Sequence, residues 1–302
     1  MATNIVEFFG YAPSDQSPAA VSARADRKCP FVGATCTKTL NRGEKSGACT
    51  LKPSRSGPVI CCPNRLYAQD YKILTDVATI AFGPDVVLVA GSSATAQLAV
   101  NTDAGKATVA VFGKRWGGEL RLPNRADSGS YFVDWILAKL HANGQVESFV
   151  AIEVQSIDTT GNYQAERIAY LQNEPYTSIS TAGFNWENVN KRILPQLIYK
   201  GHVLRREPLC TKGLFFVCPT QVYDKIRERL GNSLLDYKLQ SGALSFAWYG
   251  IGAPTEDGVT RSIEKQGNFI TTVDQVAMAF TSPSNLPPSG VYEEAINRAL
   301  AG

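Results

Sequence analysis

Two carboxylates stand where a carboxylate is costly. Asp134 lies in the apolar run Tyr131-Phe-Val-Asp-Trp-Ile-Leu137, and Glu153 in Phe149-Val-Ala-Ile-Glu-Val-Gln-Ser-Ile157. An ionised side chain inside a buried strand must be paired or must hold a cation. Both runs are rich in aromatic and branched residues, and His141-Ala-Asn-Gly-Gln145 between them supplies an Asn-Gly turn. Residues 131–157 are therefore expected to form a β-hairpin. Residues two apart on a strand face the same side, so Glu153 and Gln155 share a face with Asp134, while Ile152 and Val154 face the other way. Paired carboxylates of this kind are hard oxygen ligands for Mg²⁺, and such a metal could activate water and stabilise a phosphodiester transition state. The competing reading on spacing alone is structural, with the acids paired to Arg or Lys from neighbouring elements.

A second constellation lies upstream. Five of the seven cysteines (Cys29, Cys36, Cys49, Cys61 and Cys62) fall in one Gly-, Lys- and Pro-rich segment. An odd count argues against a disulfide framework, and the clustering argues for a structural metal held by four thiolates. The gaps are six, twelve and eleven or twelve residues, so no pair forms a close zinc knuckle. Cys29, Cys36 and Cys49 are three expected ligands. Alternation along Val59-Ile-Cys-Cys62 lets only one of the adjacent pair face the ion, and Pro63 restricts Cys62 to extended geometry. Cys62 is the expected fourth ligand, with Cys61 a small packed hydrophobe. Zinc and iron suit four thiolates alike. Cys210 and Cys218, beside Leu209 and within Phe215-Phe-Val-Cys218, read as buried packing.

Charge is distributed unevenly. Residues 24–65 hold nine Lys and Arg against Asp26 and Glu44, a local net of +7 in a chain whose total is +3. Such a segment suits a polyanion, with nucleic acid first in line, although a solvated basic loop reads the same way. With only two histidines, His141 and His202, histidine–metal nucleases and Ser-His-Asp hydrolysis are disfavoured. The absence of a Gly-x-x-x-x-Gly-Lys-Ser/Thr loop disfavours ATP-driven work. No signal peptide is apparent, and the longest apolar stretch is broken at Gly83-Pro-Asp85, so a soluble intracellular protein without membrane contact is expected.

The elements that must position these residues follow from periodicity. Residues 1–23 read as a lead ending in a polar Ser/Ala/Pro stretch. Tyr67–Phe82 has helical spacing and stops at Gly83-Pro84. Short strands are expected at 86–90, 107–112 and 214–218, with weaker ones at 246–249 and 269–273. Helices are expected at 163–171, 186–199 (interrupted at Pro195), 221–230 and 292–300. The mixed order predicts an α/β core, residues 66–302, with an N-terminal metal module at 1–65.

Asp134, eighteen intervening residues, and Glu153-Val-Gln155 resemble the PD-(D/E)xK nuclease motif, with glutamine where lysine is usual. More specifically, the chain resembles the NotI/EagI family of type II restriction endonucleases. The matching stretches are Glu7-Phe-Phe-Gly-Tyr11, Cys29-Pro-Phe-Val-Gly-Ala-Thr-Cys36, Cys61-Cys-Pro-Asn-Arg65, Trp116-Gly-Gly-Glu119, Tyr131-Phe-Val-Asp-Trp135, Glu153–Tyr163 and Asn190-Lys-Arg-Ile-Leu-Pro-Gln196. The resemblance implies a PD-(D/E)xK core, a mixed sheet flanked by helices, plus a small four-cysteine module carrying iron. It implies a bacterial cytoplasmic homodimer that cuts palindromic, GGCC-centred double-stranded DNA with Mg²⁺, its cognate methyltransferase being a separate protein. Asp134 and Glu153 carry over as metal ligands, Glu119 as an acid joining them, and Gln155 in the place of the lysine. An amide offers a hydrogen bond where lysine offers a cation, so metal ions or another basic side chain must supply the charge. Guanine readout calls for arginine, and the candidates are Arg115, Arg121, Arg125, Arg205 and Arg206, with Lys38 and Arg42 in the basic segment. The competing functions are a non-cutting DNA-binding protein with a structural metal, and a non-specific repair or mobile-element nuclease of the same fold. An iron redox protein fits the scattered cysteine gaps poorly.

Overall fold

The computed structural model of the chain describes residues 3–40, 43–118, 120, 132–282, 286 and 288–301. The N-terminal residues, expected as a lead with no element assigned, form regular structure. Thr3–Phe8 (β1) buries Thr3, Ile5 and Glu7 in alternation, and Ser17-Pro18 caps and opens helix α1, Pro18–Ala25. Strand β1 pairs antiparallel with β2, Ala48–Pro53, which also pairs with the two-residue β3, Val59–Ile60.

Inside this small sheet Glu7 is fully buried. Arg65 reaches it with a two-pronged contact, Nε to Oε2 at 2.8 Å and a terminal nitrogen to Oε1 at 2.9 Å. Thr50 donates its hydroxyl to the same carboxylate. The Arg65 terminal nitrogen also donates to the carbonyl of Arg261 at 2.8 Å, tying the module to the far edge of the main sheet. Removing one partner of a dry ion pair strands the other charge. Glu7→Gln or Arg65→Met is therefore expected to cost about 3–5 kcal/mol. Equilibrium urea unfolding of the full chain measures this, and a cost below about 1 kcal/mol, as for an exposed pair, contradicts it.

The main sheet takes up most of the remaining apolar runs. Its strands are Val86–Ala90 (β4), Ala107–Gly113 (β5), Trp135–Leu140 (β6), Val146–Val154 (β7), Leu214–Pro219 (β8), Ala243–Ile251 (β9) and Ile263–Thr272 (β10), in the order β10-β9-β8-β7-β6-β5-β4. Pairings β4–β5, β7–β8 and β8–β9 are parallel and the others antiparallel, so the sheet is mixed. Helix α2, Ala68–Phe82, covers one face, burying Ile73, Leu74, Val77 and Ala78 against Val109, Val111, Leu137, Val150 and Ile152. The other face carries α5 (Leu194–Leu204), α6 (Thr220–Leu230) and α7 (Val273–Thr281), packed on Leu214, Phe216, Leu244 and Phe246. Helices α3 (Ala94–Asp103) and α4 (Gln164–Leu171) flank these layers, and α8 (Val291–Leu300) follows. Every residue of β8 is buried, the continuous apolar run of a strand covered on both sides, and Cys210 and Cys218 are buried as expected.

Helix α3 lies between β4 and β5, in a stretch to which periodicity assigns no element, and buries Ala94 and Leu98. One local expectation needs correction. Val273 ends no strand: Thr272 caps α7 by accepting from the Gln275 amide, so the apolar run continues through a strand-to-helix switch. The expected interruption at Pro195 is present as a π-helical stretch, Val189–Ile193, that runs directly into α5, with Pro195 in the first turn of that helix. Among the described residues no helix is long and apolar enough to cross a membrane.

Candidate active site

The hairpin register sets the site. In β6 and β7, Trp135 pairs with Ile152 and Ile136 with Ala151, so the next pair outward is Asp134 with Glu153. Asp134 sits just before β6 rather than within it. Its carboxylate accepts the Val154 amide at 2.8 Å, which fixes it across the strand end. Ile152 belongs to the α2 face, so Glu153 points to the α5 face. Gln155 follows with the same parity, its backbone N–H donating to the Val217 carbonyl at 3.0 Å to continue the pairing with β8.

Burial pushes both carboxyls above their ordinary range. For Asp134, the Val154 amide and the charge of Lys200 oppose the shift in part. For Glu153, the charge of Asp134 adds to burial and the group is pushed up to about 7, despite Lys200. Lys200, on α5, places its ammonium 2.7 Å from Glu153 Oε1. Glu153 Oε2 is buried and has no hydrogen-bond partner among the described residues. The competing structural reading is thus partly realised, since Glu153 does pair with a lysine, but the pair leaves half of the carboxylate unsatisfied.

Asp134 and Lys200 also line a cavity of about 390 Å³ between β5, β6, β7 and α5, whose apolar lining includes Phe112, Ile136, Phe149 and Val203. Strand β5 enters this region through a tight turn at 113–118. Gly117 there has φ +81°, and a Cβ would collide with the Val111 carbonyl oxygen, so only glycine fits. The turn leads directly to Glu119, which lies outside the described residues, as do Arg42, Arg121 and Arg125.

The charge pair makes stability depend on pH. An acid whose pKa is raised by folding holds its proton better folded than unfolded. Stability of the metal-free protein therefore falls as pH rises from the ordinary glutamate value of 4.5 to about 7. Asp134→Asn keeps an oxygen for the Val154 amide and removes the repulsion. It should raise the melting temperature at about pH 8 by a few degrees and leave that at about pH 5 nearly unchanged. Thermal melts in EDTA at both pH values test this, and an unchanged pH difference would contradict it.

The other expected residues are scattered. Arg115 lies near Tyr67, Tyr71 and Cys29. Arg205 pairs with Asp274 at 2.7 Å, and Arg206 is exposed at the end of α5. Lys38, expected to face DNA, turns inward: its ammonium donates to the Cys61 carbonyl at 2.7 Å. Burial opposes that charge, but Cys61, Tyr163 and Cys62 outweigh it and raise the lysine pKa.

All five clustered cysteines are buried and free. Burial raises the Cys49 thiol well above its ordinary range, and the charges of Cys62, Glu7, Cys29 and Cys36 add to the shift. Burial raises the Cys29 thiol, while the Phe31 and Val32 amides donate to its sulfur. Burial pushes the Cys62 thiol up to about 12, with Lys38 and the Asn64 amide opposing the shift. Cys61 gives its S–H to the carbonyls of Ala48 and Cys49, as Cys49 does to that of Gly47 and Cys36 to that of Lys38. The donor set suits a soft metal. Among the described residues, however, no three His, Cys, Asp or Glu side chains converge closely enough to hold one as they stand.

Lys200 is a site residue that sequence spacing does not single out. It lies on the buried stripe of α5, three residues after Leu197 and four before Leu204, where a charge is out of pattern. That interruption is the available signal.

A mixed α/β sheet with two opposed acids and a neighbouring lysine at one strand end is an arrangement suited to hydrolytic chemistry on a phosphodiester. Residues 111–224 match the family model of the restriction endonuclease NotI, a span running from β5 through the acid hairpin and α5 into α6. Over that span the chain is similar to the NotI restriction endonuclease family, a likeness that indicates a site-specific deoxyribonuclease. Comparison with curated proteins gave no match.

Proposed function

We propose that the chain is a type II restriction endonuclease of PD-(D/E)xK type, cutting both strands of palindromic, GGCC-centred DNA with Mg²⁺. The observation that carries the reading is the Asp134–Glu153 pair, opposed across one hairpin and mutually destabilised, with Glu153 Oε2 left without a partner. That orphaned oxygen and the neighbouring Asp134 carboxylate fit a hard divalent cation, and Glu119 would join them. When bound, Mg²⁺ supplies a Lewis acid for the phosphate and a more acidic water. Gln155 offers an amide to orient the attacking water. Water oxygen bonds to phosphorus as the bond to the 3′ oxygen breaks, leaving a 5′-phosphate and a 3′-hydroxyl. Arg115, Arg121, Arg125, Arg205 and Arg206 remain the proposed readers of guanine or phosphate, with Arg42 on the basic segment.

Cys29, Cys36, Cys49 and Cys62 are proposed to hold iron, or alternatively zinc. Four thiolates around a divalent ion leave a net charge of about −2, and Lys38 would offset part of it rather than contact DNA. A palindrome cut on both strands needs two copies of the acid pair, so a homodimer is proposed. Sedimentation of the chain on a cognate duplex should give two chains per DNA, and monomer alone would contradict this. The cognate methyltransferase would be a separate protein.

The decisive experiment is digestion of a sequenced GC-rich plasmid in MgCl₂ with end mapping. Discrete fragments ending within one GGCC-containing sequence are expected, and a smear would mean a non-specific nuclease. The Glu153–Lys200 ion pair favours a second reading, a non-cutting DNA-binding protein in which the acids are structural. That reading requires DNA binding with no nicking at any Mg²⁺ concentration.

A further inference from the structure

We propose that Lys200, delivered by α5, is a catalytic residue whose ammonium contacts the scissile phosphate. The inference rests on the nuclease reading above. Attack on a phosphodiester gathers negative charge on the phosphoryl oxygens, beside two acids that are themselves negative. Gln155 carries no charge to meet it. Among the described residues, Lys200 is the cation to which both Asp134 and Glu153 respond. It reaches the sheet face that bears both acids, 2.7 Å from Glu153, and it lines the same cavity as Asp134.

The lysine is held on a rigid element. Leu197 and Leu204 are buried on either side of it, and Gly201 packs so closely on α7 that an added Cβ would collide with a Val273 methyl. The ammonium therefore has a fixed origin and a flexible stem. Its side chain is 18% exposed, enough to leave Glu153 for a phosphate entering from solvent. A purely structural ion pair accounts poorly for this arrangement, because a half-satisfied buried pair is a weak source of stability.

In the hydrolysis the attacking water loses one proton to solvent, and the departing 3′ oxygen gains one. Lys200 stays protonated throughout and donates hydrogen bonds to a non-bridging oxygen of the phosphate. A role through Glu153 alone would make Lys200 a positioning residue, and the two roles separate experimentally.

The test uses full-length wild type, Lys200→Met and Lys200→Arg on supercoiled plasmid at saturating enzyme. Cleavage rate, plasmid binding without metal, the Mg²⁺ concentration for half-maximal rate and thermal melts are measured together. The expected result is a rate at least ~100-fold lower for Lys200→Met, with binding and half-maximal Mg²⁺ within about threefold of wild type, and partial recovery in Lys200→Arg. If Lys200→Met does not melt cooperatively, Lys200→Gln carries the comparison, since it keeps a hydrogen bond to Glu153 without the charge. A neutral variant within about threefold of the wild-type rate overturns the proposal, as does a loss fully restored by more Mg²⁺. Failure of the wild type itself to cut would instead overturn the nuclease reading.

Discussion

Asp134→Ala and Glu153→Ala should each lower plasmid cleavage by ~1,000-fold or more while DNA binding persists. The two acids meet at one strand end with a lysine beside them and no third acid among the described residues close enough to replace either. Losing one carboxylate removes one of the three proposed for Mg²⁺. Binding should survive because DNA is itself an anion. Without metal, each alanine removes a negative charge from the surface the phosphates approach, so affinity in EDTA should hold or rise. Glu153→Ala also releases Lys200, so its effect on affinity should be the larger. Cleavage time courses in MgCl₂ and gel shifts in EDTA check both halves. A single alanine variant cutting near the wild-type rate would mean that the reaction runs elsewhere.

If the proposed four-cysteine metal is bound, Cys62→Ser should strip it and destabilise the chain severely, whereas Cys61→Ser should keep it. Lys38 lies close to both neighbours, so it is their hydrogen bonds that differ. The Cys62 sulfur receives the Asn64 amide, which favours a thiolate. Cys61 donates to two carbonyl oxygens and packs with Ile5, Phe8 and Leu51. A serine hydroxyl can donate to the same carbonyls, so Cys61→Ser should cost only about 1 kcal/mol. Structural metal sites are worth of order 10 kcal/mol in small modules, and losing a ligand forfeits much of that. Iron and zinc per chain by elemental analysis, with thermal melts alongside, give the comparison. Metal lost from Cys61→Ser and retained by Cys62→Ser would reverse the assignment.

The acid pair is legible in the sequence because its information is local. Alternation puts Glu153 and Gln155 on one face, the Asn-Gly turn sets the hairpin, and together they place Asp134 opposite Glu153. Lys200 is illegible for the opposite reason. Periodicity predicts a helix there, but β7 joins the parallel β8 only after a long crossover holding α4 and α5. Which strand α5 lies across is decided by that crossover and not by its own residues. The N-terminal strand β1 escapes sequence reasoning for a related reason: its partner is β2, far along the chain, and Glu7 reads as a surface acid until Arg65 is placed beside it. The inward turn of Lys38 likewise depends on a carbonyl that sequence spacing does not locate.

The seam between residues 1–65 and the rest is not a place where the protein can be cut and rejoined. Cys29, Phe31, Cys49 and Ile60 share one apolar cluster with Val109, Val111 and Ile152 of the main sheet, and Arg65 grips Glu7 on one side and the 261–262 carbonyls on the other. A chimera joined at residue 65 to a relative's nuclease core would pair each half with a surface shaped for a different partner. Recombination among such enzymes would then succeed only when the first strand, the cysteine segment and the β9–β10 hairpin travel together. The first two pieces are far from the third in the gene and contiguous with it in space, so exchanging target specificity by swapping blocks should be rarer here than in enzymes whose recognition unit hangs on a linker.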